Sequence, residues 1–352
     1  MKNKSLLILS SITLAVILAA TVTSKLRAPQ NTIEKTILFP DLANRINDVS
    51  RVIVQGAEHT VSLQKRNGQW YLSSADDYPA SFDKVRQTVI NMSLLRLEEK
   101  KTDNPEYYSR LGVEDPSTKD ASSLLVALND SANNTLASLI IGKQRQSSSN
   151  KPGLYVRKQN EAQSLLVEGM LEVSDSNADW FERQLFDIPS AEVRYVIIQY
   201  ADGNIFEISR KARGQTDFDI PDRDKMPSAS KIIVNRIASG MEEMRADDVQ
   251  AAGKFNFIPE ETVKTTVTTF DGLVIESRLA RTDQGAYGQF TARFDEPARS
   301  ETVNDQNDGS AGIRDYARTL NNRLSGWVYS IPEFKYEALT TNIDDLMRIP
   351  GS

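Results

Sequence analysis

Alternating hydrophobic and polar residues predict a β-meander that begins near residue 51. An apolar residue at every second position is typical of a strand with one buried face. Between the second and third alternating segments lies Asn67-Gly68, a pair that favours a two-residue hairpin turn. The predicted strands cover residues 51–55, 59–64 and 69–72.

The spacing of apolar residues then changes from two to three or four, which is typical of an amphipathic helix. We expect this helix to begin after Ser81, whose hydroxyl can cap the first turn. Its apolar positions are Val85, Val89, Met92, Leu95 and Leu97. Later apolar runs predict strands at 122–128, 137–141, 154–157 and 165–167, followed by a helix at 177–184.

The same series of patterns returns about 144 to 149 residues later. Val-Ile-Val-Gln at 52–55 is matched by Val-Ile-Ile-Gln at 196–199, and each is followed by an alternating segment. A repeat of this length indicates two similar structural units. The second series predicts strands at 263–270, 273–279, 288–294 and 327–331, and further helices at 313–324 and 336–347.

These patterns divide the chain into segments with different expected structures. Each unit should contain a β-hairpin with a third strand, a helix, and then a second small antiparallel sheet. The acidic stretch 295–312 is predicted to be a mobile loop because it has too few apolar residues to form a core. The segments are a membrane anchor or signal segment at 1–27, a polar connector at 28–50 that is partly helical over 32–45, a first unit at 51–188 and a second unit at 189–348.

An uncharged apolar run occupies residues 5–24 and follows Lys2 and Lys4. About 20 residues are enough to cross a bilayer as a helix, and the run is longer than the core of a typical signal peptide. Small residues near its end leave a cleaved signal peptide as the alternative to an uncleaved anchor. We therefore expect an α+β protein in which an N-terminal transmembrane helix precedes two tandem, pseudo-repeated units of antiparallel β-sheet with packed helices. The bacterial inner membrane would hold residues 5–24 in a single pass, with the bulk of the chain in the periplasm.

Composition excludes several classes of chemistry. The 352 residues include no cysteine, which removes disulfides, thiol nucleophiles and thiolate metal sites. The net charge of −6 argues against nucleic acid as a partner. His59 is the single histidine and lies beside a predicted strand without a nucleophile motif, so a Ser-His-Asp triad is not expected.

The remaining polar motifs do not indicate an active site. Residues 304–309 resemble the start of a calcium loop but lack its terminal glutamate. No phosphate-binding glycine loop is present in the sequence, and we predict no catalytic, cofactor-binding or metal-binding residues. Adjacent carboxylates are interpreted as solvated surface: Asp76-Asp77, Glu98-Glu99, Glu242-Glu243, Asp247-Asp248, Glu260-Glu261 and Asp344-Asp345. Aromatic residues are interpreted as core, with a ligand groove as the alternative: Trp70, Tyr71, Phe82, Phe206 and Phe218.

Several short motifs together resemble the domain of unknown function 4340 family over residues 50–250. The motifs are Asn67-Gly68-Gln69-Trp70-Tyr71-Leu72, Tyr78-Pro79-Ala80, Leu111-Gly112-Val113-Glu114-Asp115-Pro116, Ile140-Ile141-Gly142 and Leu154-Tyr155-Val156. Ser81 stands where the family usually has Asp. The resemblance implies a membrane-anchored protein associated with ABC transporters of the gliding-motility type, and it implies no active site.

Three functions remain as hypotheses. The first is a non-enzymatic, periplasmic accessory or interaction subunit that binds an ABC transporter permease or auxiliary subunit. The second is a lipid or small-ligand binding protein with an apolar pocket between the sheets. The third is an envelope hydrolase with two converging carboxylates in a cleft between the units.

Overall fold

A computed structural model describes residues 36–145, 152–220, 230–298 and 310–342. Over these residues the chain has an α+β fold with two large antiparallel sheets and a two-stranded ribbon. No helix within the described ranges is both long and apolar enough to cross a bilayer. The predicted anchor at 5–24, most of the acidic loop and the end of the last predicted helix lie outside those ranges.

The first sheet has nine strands in the order β4-β3-β2-β1-β6-β7-β8-β9-β5. Asn67 and Gly68 have φ values of +50° and +82°, as a type I′ turn between β2 and β3 requires. The expected second small sheet is not separate, because β6 pairs directly with β1 and Val126 lies opposite Val54. The strands are β1 Arg51–Gln55, β2 Thr60–Arg66, β3 Gln69–Leu72, β4 Tyr78–Pro79, β5 Arg96–Lys100, β6 Leu124–Asn129, β7 Thr135–Gln144, β8 Gly153–Lys158 and β9 Ser164–Glu168.

The ribbon pairs β10 with β13, and the second sheet has seven strands. Their bounds are β10 Gln184–Phe186, β11 Val193–Gln199, β12 Ile205–Ser209, β13 Met244–Arg245, β14 Asp248–Ala251, β15 Val263–Thr269, β16 Leu273–Thr282, β17 Gly285–Phe294 and β18 Trp327–Ile331. The order in the second sheet is β12-β11-β15-β16-β17-β18-β14. Without β3 and β4, the first sheet has the order β2-β1-β6-β7-β8-β9-β5. This order matches the second sheet strand for strand, with β1 in the place of β11 and β5 in the place of β14.

Five α-helices lie among the described residues: α1 Phe82–Leu94, α2 Tyr108–Leu111, α3 Ser230–Ala238, α4 Ser310–Leu324 and α5 Glu333–Leu339. Ser81 occupies the N-cap position of α1, but its side chain makes no capping hydrogen bond. Its backbone N–H donates instead to the Trp180 carbonyl at 2.7 Å. The prediction of a helix over 177–184 is wrong, because only a short 3-10 turn forms at Asn177–Trp180 and the strand β10 begins at Gln184.

Residues 36–50 lie against the core rather than forming a solvated helix. Leu38, Leu42 and Val49 are buried, and the described part of this segment contains two 3-10 turns. The Leu38 N–H donates to the Leu95 carbonyl at 2.8 Å, which attaches the segment to the end of α1. The expected helix is therefore absent from residues 36–45.

A single hydrophobic core contains residues from both large sheets. Tyr78 lies at the contact between them, with its ring edge-on to three other aromatic rings. The centroid distances are 5.2 Å to Phe181, 4.9 Å to Trp327 and 6.1 Å to Tyr329. Such edge-to-face pairs stabilise the packing beyond the area that they bury.

Candidate interaction site

A concave surface runs along α1, and we call it the α1 groove. Its volume is about 660 Å³. One wall is α1, and the other is the chain that follows β9 up to the 3-10 turn at Asn177–Trp180. The residues that define its chemistry are Lys84, Leu94, Met170, Glu172, Val173 and Asp179.

The helical wall follows from the amphipathic pattern of α1. Val85, Val89 and Met92 are buried in the hydrophobic core that both large sheets share. Lys84, Thr88 and Asn91 follow one another at four- and three-residue spacing, so they share the adjacent face of the helix and line the groove. The sequence pattern therefore determines which side of α1 is available for contact.

The second wall is held in place by backbone geometry and one side-chain hydrogen bond. Gly169 has a φ of +138°, a conformation that favours glycine and turns the chain after β9. Leu171 is buried and anchors the segment to the core. The Trp180 indole N–H donates to the Ser174 carbonyl at 2.8 Å. The groove is thus bounded by fixed elements on both sides.

The α1 groove combines exposed apolar side chains with charged ones. Leu94 is 58% exposed and Met170 is 49% exposed, and Val173 is half-buried between them and the core. Lys84, Glu172 and Asp179 are exposed on the same lining. Exposed apolar residues bordered by charge are typical of a surface that binds a partner or ligand.

A second groove, of about 570 Å³, lies beside the ribbon where the two predicted units meet. Its central residue is Lys335, whose buried Nζ donates to the carbonyls of Ser239 at 3.0 Å and Glu242 at 2.5 Å. Burial lowers the pKa of Lys335, although nearby carboxylates oppose the shift. Asp187 accepts the Glu243 N–H at 2.8 Å. The Lys335 contacts attach α5 to the 3-10 turn that follows α3.

The two units are also joined through Asp76. Its carboxylate accepts hydrogen bonds from Lys254 Nζ and, at 2.9 Å, from the Ala251 N–H. The Lys254 hydrogen bond, followed by that of Ala251, lowers the pKa of Asp76. The Tyr78 and Tyr329 hydroxyls lie 3.5 Å apart nearby, and burial raises the pKa of both phenols.

The residues named from the sequence are dispersed over the structure. His59 is exposed in the turn between β1 and β2. Trp70, Phe206 and Phe218 are buried as expected, whereas Phe82 is 52% exposed at the start of α1, so its assignment to the core was wrong. No sequence pattern indicates that Leu94 and Met170 line a common groove, because the strands β5 to β9 separate them along the chain.

Several carboxylates that were interpreted as solvated surface form ion pairs with arginine side chains. Asp77 forms a bidentate pair with Arg66 at 2.7 and 2.9 Å. Glu98 binds Arg145 at 2.7 Å, and Asp247 binds Arg183. Within the described ranges, no group of three or more His, Cys, Asp or Glu residues is placed to hold a metal ion. Residues 304–309 and 344–345 lie outside those ranges.

Comparison with known protein families agrees with the resemblance found in the sequence. No curated protein matches the chain. The family model described as Domain of unknown function (DUF4340) matches residues 70–291, which is more than half of the 352 residues. The matched range includes α1, both walls of the α1 groove and most of the second sheet. The chain therefore belongs to the DUF4340 family.

Proposed function

We propose that this protein is a non-enzymatic, membrane-anchored accessory subunit that binds another subunit of an ABC-type transport system on the periplasmic side of the inner membrane. The observation that carries the proposal is the α1 groove, in which exposed Leu94 and Met170 are presented on a well-packed frame. A non-enzymatic subunit needs such a contact surface and a stable scaffold to hold it.

The remaining support comes from the chain as a whole. The apolar run at 5–24 is long enough to anchor the protein as a single helix. The strand order that the two large sheets share once β3 and β4 are set aside supports two tandem, pseudo-repeated units. The resemblance of the motifs to a family associated with gliding-motility-type ABC transporters supports the kind of partner.

Location is tested with the cysteine-free chain itself. A single Ile205→Cys variant places a thiol at an exposed site on β12. In intact cells with a permeable outer membrane, a membrane-impermeant maleimide should label this thiol as completely as it does after lysis. Labelling that requires lysis of the inner membrane would contradict the periplasmic location.

The partner is tested by affinity purification of the tagged full chain from native membranes in mild detergent. Mass spectrometry should recover a permease or auxiliary subunit of an ABC transporter in molar proportion to the bait. The matched control is an unrelated single-pass protein with the same tag and expression level. Repeated recovery of the bait without a transporter subunit would contradict the proposed function.

A second candidate function, binding of a lipid or small ligand, is favoured by the volume of the α1 groove, which falls within the usual range of ligand pockets. It differs from the expected apolar pocket between the sheets, because this groove is partly open and lies on the outer side of α1. Native mass spectrometry should then show a bound lipid that Leu94→Arg removes.

A further inference from the structure

The second unit shows what occupies the position that corresponds to the α1 groove. When α1 is shifted by 149 residues, its buried positions coincide with those of α3 and the 3-10 turn that follows it. The coinciding pairs are Val85 with Val234, Thr88 with Ile237, Val89 with Ala238 and Met92 with Met241. The same shift places Asn91, which lines the α1 groove, at Gly240.

In the second unit a helix packs directly on this position. A Cβ atom added to Gly240 would lie 2.5 Å from Leu339 Cδ2 and 3.6 Å from Ala338 Cβ, so α5 covers the glycine. Lys335 of α5 also donates to the Ser239 carbonyl at 3.0 Å. The helix after the last strand of the second sheet therefore fills the space beside α3.

In the first unit the chain after the last strand takes the same route without forming a helix. Gly56, the residue after β1, corresponds to Tyr200, the residue after β11, because Val52–Gln55 and Val196–Gln199 match at a shift of about 144 residues. Asp175 lies against Gly56, with its Cγ 2.8 Å from the position of an added Cβ, and the Thr341 carbonyl accepts the Tyr200 hydroxyl. Among the described residues no helix covers Asn91, so the corresponding space is the α1 groove.

We propose that the α1 groove binds a short amphipathic helix of a partner protein, in the manner in which α5 packs on α3. The apolar face of that helix, at i, i+3 and i+4, would contact Leu94, Met170 and Val173. The charged groups of the lining are two carboxylates, Glu172 and Asp179, and one ammonium group, that of Lys84. The lining is therefore negative overall, and a complementary helix carries Lys or Arg at its edge. The identity of the partner as a transporter subunit rests on the proposed function, whereas the helical mode of binding does not.

The test places a photo-crosslinking p-benzoylphenylalanine at Met170 of the full chain in native membranes. The matched control is the same substitution at Ile205, which is exposed on the second sheet. We expect an adduct at position 170 but not at 205, and peptide mapping should place it in a second protein. The captured segment should have apolar residues at helical spacing and a flanking Lys or Arg.

Charge variants test the mode of binding in the same experiment. Glu172→Lys with Asp179→Lys should lower the adduct yield about tenfold or more, whereas Glu207→Lys on β12 should leave it within about twofold. Circular dichroism of each variant checks that the fold is unchanged. A yield that does not respond to the groove charges would overturn the inference.

Other captured species also overturn it. An adduct with lipid, with a second copy of this chain, with residues of the same chain or with an extended segment of a partner excludes a helix in the groove, as does no adduct above the Ile205 level. Recovery of transporter subunits without a helical adduct refutes this inference alone. A helical adduct with a protein outside any transporter supports the inference and refutes the proposed function.

Discussion

The Asp76 carboxylate accepts hydrogen bonds from the chain that follows β14 and from the end of β14 itself. The residue is in the left-handed region, with a φ of +56°, and this conformation directs its side chain towards β14. Its two hydrogen-bond donors, Ala251 and Lys254, lie about 175 residues away along the chain. A single carboxylate therefore contributes a specific polar contact between the two units.

Asp76→Asn should destabilise the protein at neutral pH by about 1–2 kcal/mol, because a charge-assisted hydrogen bond is replaced by a neutral one. The pKa of Asp76 is lower in the folded state than its ordinary value of 3.8. Its contribution is therefore fully present above that value and is lost as the pH falls through the folded pKa.

The measurement is denaturant unfolding of the full chain in detergent between pH 7 and pH 3, with wild type and variant compared at each pH. The control is Asp315→Asn, whose ion pair with Arg318 is exposed and should contribute less than about 0.5 kcal/mol. A difference for Asp76→Asn that stays constant down to pH 3 would argue against the linkage.

At the scale of elements, β7 lies directly beneath the loop that leads from α2 to β6. A Cβ atom added to Gly142 would lie 2.7 Å from the Gly112 carbonyl oxygen and 2.8 Å from Val113 Cγ1. The close approach allows Tyr108, Val113 and Ile140 to form a second small core on the other face of the first sheet. The glycine of the Ile-Ile-Gly motif thus serves packing between a strand and a loop.

Gly142→Ala should lower the free energy of unfolding by about 1–3 kcal/mol, because the clash involves backbone atoms that cannot move aside easily. Gly253→Ala is the matched control, since nothing lies within 4 Å of its added Cβ. Thermal and denaturant unfolding of the two variants measure the difference. Equal stabilities would show that the loop is not held against β7.

The elements that sequence patterns miss are those with polar composition. β5 reads Arg-Leu-Glu-Glu-Lys and contains Leu97, which the apolar spacing assigns to the helix after Ser81. It is a strand because it pairs with β9 on one side, while Ile37 forms an antiparallel bridge with Arg96 on the other. β1, β3 and β18, in contrast, were predicted with their observed bounds because each is short, rich in apolar residues and buried on at least one face.

For the whole molecule, the joint between the sheets determines whether the units unfold together. It consists of the ribbon of β10 and β13, the Asp76 contacts and the aromatic cluster around Tyr78. Tyr329 is among the largest fully buried side chains and belongs to this cluster. We therefore expect one cooperative unfolding transition for the described units.

Tyr78→Ala combined with Tyr329→Ala should separate this transition into two, because removal of both rings leaves a cavity at the joint. Differential scanning calorimetry of the full chain measures the number of transitions. Trp70→Ala is the control: it should lower the stability by about 3–5 kcal/mol within the first unit while the transition remains single. A single transition in the double variant would show that the aromatic cluster does not couple the units.

The sequence by itself determined the alternation of strands, the Asn67-Gly68 turn, the buried face of α1 and the repetition of these features, because each depends on neighbouring residues and local backbone preferences. Only the tertiary structure decided that the strands of each unit form one sheet, that Asp76 joins the units and that the α1 groove is open where α5 covers α3. These features depend on contacts between residues far apart in the chain, such as Tyr78 and Tyr329, and the local pattern of either partner does not encode them.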